Sequence, residues 1–341
     1  MSDPKTPRAA GYRMPAEWEP HEATWIAWPH NRDDWPGRFA PIPWVYAEIV
    51  RKLSAVERVR ILVEDAAVER QASRILAKAG ARMEAVEFFR VRTNRVWTRD
   101  YGPLFVKNRG GQVAATRWQF NAWAKYDDWE SDAAVPPEIA RRLKVEMFEA
   151  GLVLEGGSID VNGAGLLVTT EECLLSPVQA RNPGINRGAI ERRMRDYLGI
   201  RRVIWLRKGI AGDDTHGHVD DLARFVSRDT VVVASETDRS DPNFENLVEN
   251  ARLLRAARVK VVKLPMPHSL VFNGQRLPAS YANFYIANRL VLVPTFNDPR
   301  DRIALTILAR CFPGREVVGI NSTELIWGLE ALHCMTQQQP K

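Results

Sequence analysis

The chain has 341 residues, 45% of them hydrophobic and 26% charged, enough apolar material for a full core and a composition unlike disordered or collagen-like chains. Its net charge of +6 comes from 48 Lys and Arg spread along the whole length and interleaved with 42 Asp and Glu, so no concentrated surface for nucleic acid is expected. No apolar run approaches the roughly 20 residues of a membrane-spanning helix, residues 1–8 lack the apolar core of a secretory signal, and Cys173, Cys311 and Cys334 show no paired metal-ligand spacing, which together predict a cytoplasmic protein in a reduced compartment.

In chain order, the first strand-like run is 24–28, followed by a helix over 43–56 and a β-branched run at Arg58–Val63. The sequence of helix, basic residue and β-branched run then recurs, with strands expected at 144–148, Arg202–Leu206, 258–262 and 315–318, and helices over 186–198, 244–257 and 300–311. The last four strands repeat every roughly 57 residues. An extra helix, Ala66–Ala79, and an extra strand, 83–90, lengthen the first interval as an insertion would. Further strands are expected at 113–118, 165–169, 230–234 and 289–294. Units that cannot bury their own apolar faces must pack on their neighbours, so five of them closing into a ring is the economical architecture. No Gly-x-Gly-x-x-Gly turn supports a Rossmann alternative, and no linker divides residues 1–341, which predicts one domain.

Four clusters carry chemistry-bearing residue types. Trp97-Thr98-Arg99-Asp100 sets an indole beside a carboxylate, a pairing suited to a planar cation, although a turn before Gly102-Pro103 explains the same residues. Leu154-Glu155-Gly156-Gly157 ends an apolar run in a carboxylate and two glycines. In the run from Asp213 to Asp221, His216, His218 and Asp220 alternate as on one strand face; a metal site there needs further ligands, and only His268 and His333 remain downstream, so an acid/base His218 beside Asp220 is the alternative reading. Finally, Cys334 stands among polar residues near the C-terminus, where a frayed tail is the bland alternative, while Cys173 and Cys311 sit in apolar contexts typical of inert thiols.

Together, a cysteine, a histidine, three carboxylates and an aromatic residue are the inventory for opening a guanidinium carbon. The chain resembles the agmatine deiminases, and through them the peptidylarginine deiminase-like, guanidine-modifying pentein superfamily, in its opening Met14-Pro15-Ala16-Glu17-Trp18-Glu19-Pro20-His21 and in five later blocks in order: Trp97 to Pro103, Phe120-Asn121-Ala122-Trp123, Glu155-Gly156-Gly157, Gly217-His218-Val219-Asp220, and His333-Cys334 to Gln338. It departs from that family's pattern in the turn Gly328-Leu329-Glu330-Ala331-Leu332, where the family usually begins with three glycines, and at Tyr101, His216 and Asp221.

The resemblance implies a five-bladed pseudosymmetric α/β propeller. It also implies hydrolysis of a small guanidine, agmatine first, to a ureido product and ammonia in polyamine metabolism, with a peptidylarginine deiminase-like enzyme or a silent polyamine-binding protein as alternatives. By similarity, Cys334 is the nucleophile, His218 the acid/base and Glu155 its orienting partner, while Asp100 and Asp220 grip the guanidinium and Trp97 packs near its face. No metal or organic cofactor, no nucleic-acid or membrane partner and a homodimer are the accompanying expectations.

Overall fold

The computed structural model describes residues 6–341. Four consecutive sheets share one plan: a first strand antiparallel to the central one, and a third parallel to it. They are Leu104–Lys107 with Val113–Gln119 and Met147–Val153, Asp160–Val161 with Leu166–Thr170 and Arg202–Leu206, Ala223–Phe225 with Thr230–Ser235 and Lys260–Pro265, and Tyr285–Ile286 with Leu290–Thr295 and Glu316–Asn321. The helices Val135–Leu143, Arg187–Leu198, Phe244–Ala256 and Asp301–Cys311 supply the crossovers that parallel pairing requires.

Besides a small hairpin of Val271–Phe272 with Gln275–Arg276, one further sheet joins the two ends of the chain. Gln337–Pro340 runs antiparallel to His21–Ala27, which pairs in parallel with Arg58–Val63 across the helix Ile42–Leu53. The extra helix Ala66–Ala79 and extra strand Val86–Arg90 extend this blade to four strands, as the long first interval predicts. Helix Ile42–Leu53 packs against Glu316–Asn321, and Thr24 shares a 2.7 Å hydrogen bond with Tyr285, so the last blade meets the first. The fold is a five-bladed α/β propeller.

Local chemistry sets the boundaries. Asp65 caps Ala66–Ala79 by accepting from the amides of Ala67 and Val68, and Gly80 ends that helix at φ 79°. Central strands such as Thr230–Ser235 and Leu290–Thr295 are almost continuously buried and β-branched or apolar, as strands covered on both faces must be. Two strands begin later than their sequence pattern predicts. Lys144 and Arg258 adopt left-handed φ of 54° and 64° as they leave their helices, so extended backbone starts only at Met147 and Lys260. The 83–90 strand is likewise shortened, because residues Met83–Ala85 form a single helical turn.

Apolar side chains collect between blades. Trp118, Phe148 and Met194 lie in a cluster shared by the second and third blades, and Ile204, Val231 and Leu254 in one shared by the third and fourth. The consequence for function is positional, because each blade's first strand is preceded by a turn at its inner end. These turns carry Asp100, Glu155, His218 with Asp220, Asn283, and Cys334, one set from each blade.

Candidate active site

Cys334 is fully buried immediately before the ring-closing strand, so the frayed tail is not what the chain forms. Its position is fixed through its own backbone: the carbonyl of Cys334 accepts from the Arg99 amide at 3.0 Å. Around it, the Thr98 hydroxyl donates to the Met335 carbonyl at 2.9 Å and the Arg99 guanidinium to Gln338 at 2.7 Å. The sulfur accepts from Asn283 Nδ2 at 3.0 Å and lies 3.5 Å from Asp220 Oδ2.

His218 is fully buried among three carboxylates. Its Nε2 is 3.7 Å from Glu155, and its Nδ1 is 3.8 Å from Asp100 and 4.0 Å from Asp220. These distances exceed hydrogen-bonding range, and neither ring nitrogen has a hydrogen-bond partner, which leaves the imidazole free to exchange a proton with a guest. Burial opposes charge on this ring, but Asp100, Cys173 and Glu155 outweigh it, so His218 holds its proton well above the ordinary imidazole range.

The run from His216 to Asp220 is not a strand. His216 and Gly217 take φ of 63° and 96°, and Val219–Asp221 forms a helical turn, which sends His216 away to Ser176 Oγ at 3.1 Å. The alternation that suggested a common metal face for His216, His218 and Asp220 therefore does not exist. His218 and Asp220 meet because the turn folds them onto one another. Glu155, Cys173 and His218 do bring three ligand-type atoms within 4.8 Å, but Glu155 is committed to Arg181 Nε at 2.9 Å.

Two glycines make the crowding feasible. A Cβ on Gly157 would stand 2.6 Å from His218 Nδ1 and 2.8 Å from Asp100 Oδ1, and one on Gly156 would stand 2.2 Å from the Arg99 carbonyl. The Gly157 amide instead donates to Asp100 Oδ1 at 3.0 Å, and the Trp123 indole donates to Asp100 Oδ2 at 2.9 Å. Burial raises the Asp100 carboxyl most; His218 opposes that rise while Asp220 and Glu155 add to it, leaving it at about 6. Glu155 is also penalised by burial, yet Arg181 and His218 pull it down to about 2. Asp220 lies below its usual value: burial opposes this, and His333, bonded to Asp220 Oδ2 at 2.6 Å, prevails.

Burial, then Asp220, Glu330 and Asp221, push the Cys334 thiol well above its usual range. Cys334 is thus a neutral thiol. A guest cation among the same carboxylates would offset their share of that rise, though not the share due to burial.

A cavity of about 420 Å³ adjoins the cluster. Trp97 and Trp123 line it, as do Asp34, Asp128, Asp214 and Glu330. Trp97 packs at 5.5 Å from Trp35, and Trp123 belongs to both cavity and cluster through its bond to Asp100.

All six residues expected at the site, Cys334, His218, Glu155, Asp220, Asp100 and Trp97, are therefore gathered at or beside this cavity. Sequence reasoning missed the supporting shell. His333 bridges Asp220 and Glu17, whose carboxylate also binds Arg224 at 2.8 Å. Glu17 lies in the opening motif and His333 adjoins Cys334, so both had a signal in position. Cys173 had none: its apolar context marks an inert thiol, yet it lies against His218.

A profile of the family described as Porphyromonas-type peptidyl-arginine deiminase matches residues 13–340. An agmatine deiminase of Pseudomonas aeruginosa is 37% identical over 100% of this chain and 99% of its own. Among solved structures, the agmatine deiminase of Enterococcus faecalis is 32% identical, covers 99% of this chain and 98% of its own, and superposes with a TM-score of 0.92. A C. jejuni agmatine deiminase, a cysteine-to-serine variant with substrate bound, is 30% identical with a TM-score of 0.90 over 97% of this chain and 96% of its own. An amidinotransferase of Microseira wollei, 12% identical with a TM-score of 0.53 over 97% of each chain, shares the fold alone. On that full-length match the chain belongs to the Porphyromonas-type peptidyl-arginine deiminase family, as a relative of the agmatine deiminases.

Proposed function

We propose that this chain is a cytoplasmic agmatine deiminase acting through a covalent intermediate on Cys334. The observation that carries the reading is a buried thiol bonded to Asp220 and Asn283 on one side of a site whose other side is an unpartnered His218 imidazole. Asp220 Oδ1, buried and without a partner, faces the guanidinium together with Asp100. The bound cation offsets the surrounding carboxylates, and Cys334 releases its proton to solvent water and attacks the guanidinium carbon as thiolate.

The leaving nitrogen takes a proton from His218 and departs as ammonia, leaving an alkylthiouronium on sulfur. A water loses a proton to the same imidazole, adds to that carbon and expels the thiolate. The product is the ureido amine, N-carbamoylputrescine. Glu155, fixed by Arg181, orients His218 and supports its positive charge.

The cavity favours an amine-tailed guanidine over free arginine. Asp33, Asp34, Asp128 and Asp214 line it; Arg95 pairs with Asp128 and Lys125 with Asp214, so Asp33 and Asp34 supply the acidic excess that attracts a tail ammonium and repels a carboxylate. The described residues contain no helix long and apolar enough to cross a membrane, and all three cysteines are free thiols, which suits a reducing compartment. We further propose that residues 1–341 act as one domain within a homodimer.

The test is ammonia release from agmatine, free arginine and a blocked arginine peptide, each with and without a chelator. Agmatine turnover should be selective and chelator-insensitive, and should fall roughly 10⁴-fold or more in Cys334→Ala while the circular dichroism spectrum is kept. Preference for the peptide would transfer the reading to the peptidyl-arginine branch. An active Cys334→Ala enzyme would refute the nucleophile.

A further inference from the structure

Glu330 is the one acid of the turn before Cys334, and it is oddly placed. The residue is 5% exposed, its Oε2 is buried with no hydrogen-bond partner, and it lines the cavity together with Trp97 and Trp123. A buried carboxylate oxygen without a donor is unfavourable unless something compensates it. The charges around it do not. Asp100, Asp221 and Asp220 face it alongside His218, so three acids meet one imidazole.

The other acids near Cys334 have protein partners. Glu155 holds Arg181, Asp220 holds His333, Asp221 receives Asn283, and Asp100 receives Trp123 and the Gly157 amide. Glu330 is the carboxylate left over on the side open to the cavity. We propose that Glu330 is a substrate-binding residue whose carboxylate pairs with the guanidinium as it reaches Cys334, a third acid beside Asp100 and Asp220. This assignment rests on the guanidine-hydrolase reading of the site. Its contribution falls on the guanidinium end, since Glu330 acts on Asp100, Asp220 and the Cys334 thiol, whereas Asp33, Asp128 and Asp214 stand along the cavity where a four-carbon tail would extend.

The experiment compares wild type with Glu330→Gln on agmatine and on butylguanidine, whose tail is uncharged. The substitution keeps side-chain volume and removes the ability of this carboxyl, held neutral by burial and by Asp100, Asp221 and Asp220, to ionise against a bound guanidinium. Loss of one charge-assisted pair predicts kcat/KM lower by roughly 10- to 100-fold on both substrates, mostly through KM. The melting temperature of the variant without substrate should equal that of wild type, because burial and the surrounding acids already hold the Glu330 carboxyl in its neutral form there. A second measurement in the Cys334→Ala background should show that Glu330→Gln abolishes most of the thermal stabilisation given by agmatine. Unchanged kcat/KM, or a loss confined to agmatine, overturns the assignment while leaving the hydrolase intact. A wild-type enzyme inactive on both guanidines overturns the functional reading, and this assignment with it.

Discussion

At the scale of single residues, the site concentrates acids and then controls their charge by neighbours. Glu155 stays ionised because Arg181 is locked to it, whereas Asp100 has no cation other than His218 and rises to about 6. In the proposed mechanism Asp100 must be a carboxylate to receive a guanidinium, so its proton and the substrate compete. The active form is present above about pH 6 and is lost as pH falls through that value, because the guanidinium and amine of agmatine titrate only at about 10 and higher. The acid limb of kcat/KM, measured from pH 4.5 to 9, should therefore centre near pH 6. A limb in the ordinary carboxylate range near 4 would mean that Asp100 remains solvated in the working enzyme.

At the scale of elements, the loop after Phe120 shows backbone conformation recruited for the site. Ala122, Trp123 and Ala124 all have positive φ, of 48°, 57° and 53°, a left-handed turn held by Asn121 and costing about 1–2 kcal/mol per residue. The turn delivers the Trp123 indole to Asp100. Ala122→Gly should therefore be neutral or stabilising by up to about 1 kcal/mol, instead of showing the usual loss for glycine, while Trp123→Phe should lower kcat/KM about tenfold with little change in melting temperature. Denaturant midpoints and agmatine kinetics check the pair, and an Ala122→Gly variant destabilised by a full 1 kcal/mol would deny the strain. Such a turn is not legible in a sequence that reads Asn-Ala-Trp-Ala. Strands were legible where β-branched runs coincide with burial, as at Arg58–Val63 and Arg202–Leu206, and helices where Asp65 and Gly80 mark both ends. Reading failed where one residue turns left-handed, at Lys144, Arg258 and His216, because none of them is the glycine that usually marks such a position and tertiary contacts decide where it falls.

At the scale of the whole molecule, the site exists only because the ring closes. The residues that announce chemistry in sequence are those just ahead of each blade's first strand, and Asn283, the fifth blade's contribution, went unread because an amide between apolar residues carries no local sign of its partner sulfur. Closure depends on five residues at the chain end. Gln337–Pro340 pairs with His21–Ala27, Gln337 donates to the Pro103 carbonyl at 2.8 Å, Gln338 accepts from Arg99 at 2.7 Å, and Gln339 accepts from Trp25 at 3.0 Å. At about 1 kcal/mol for each of these side-chain bonds, and with the backbone ladder lost as well, ending the chain at Thr336 should cost at least about 3 kcal/mol. It also exposes the unpaired edge of His21–Ala27 to self-association. Because the Cys334 carbonyl is held by Arg99 within the same seam, agmatine turnover should vanish even in whatever fraction stays folded. Gln339→Ala, which leaves the Trp25 indole and the Arg60 guanidinium without their shared acceptor but keeps the ladder, should cost about 2 kcal/mol and retain most activity. If the chain ending at Thr336 unfolds at the denaturant midpoint of the full protein, the first blade is stable without its C-terminal strand, and the coupling between ring closure and the nucleophile is wrong.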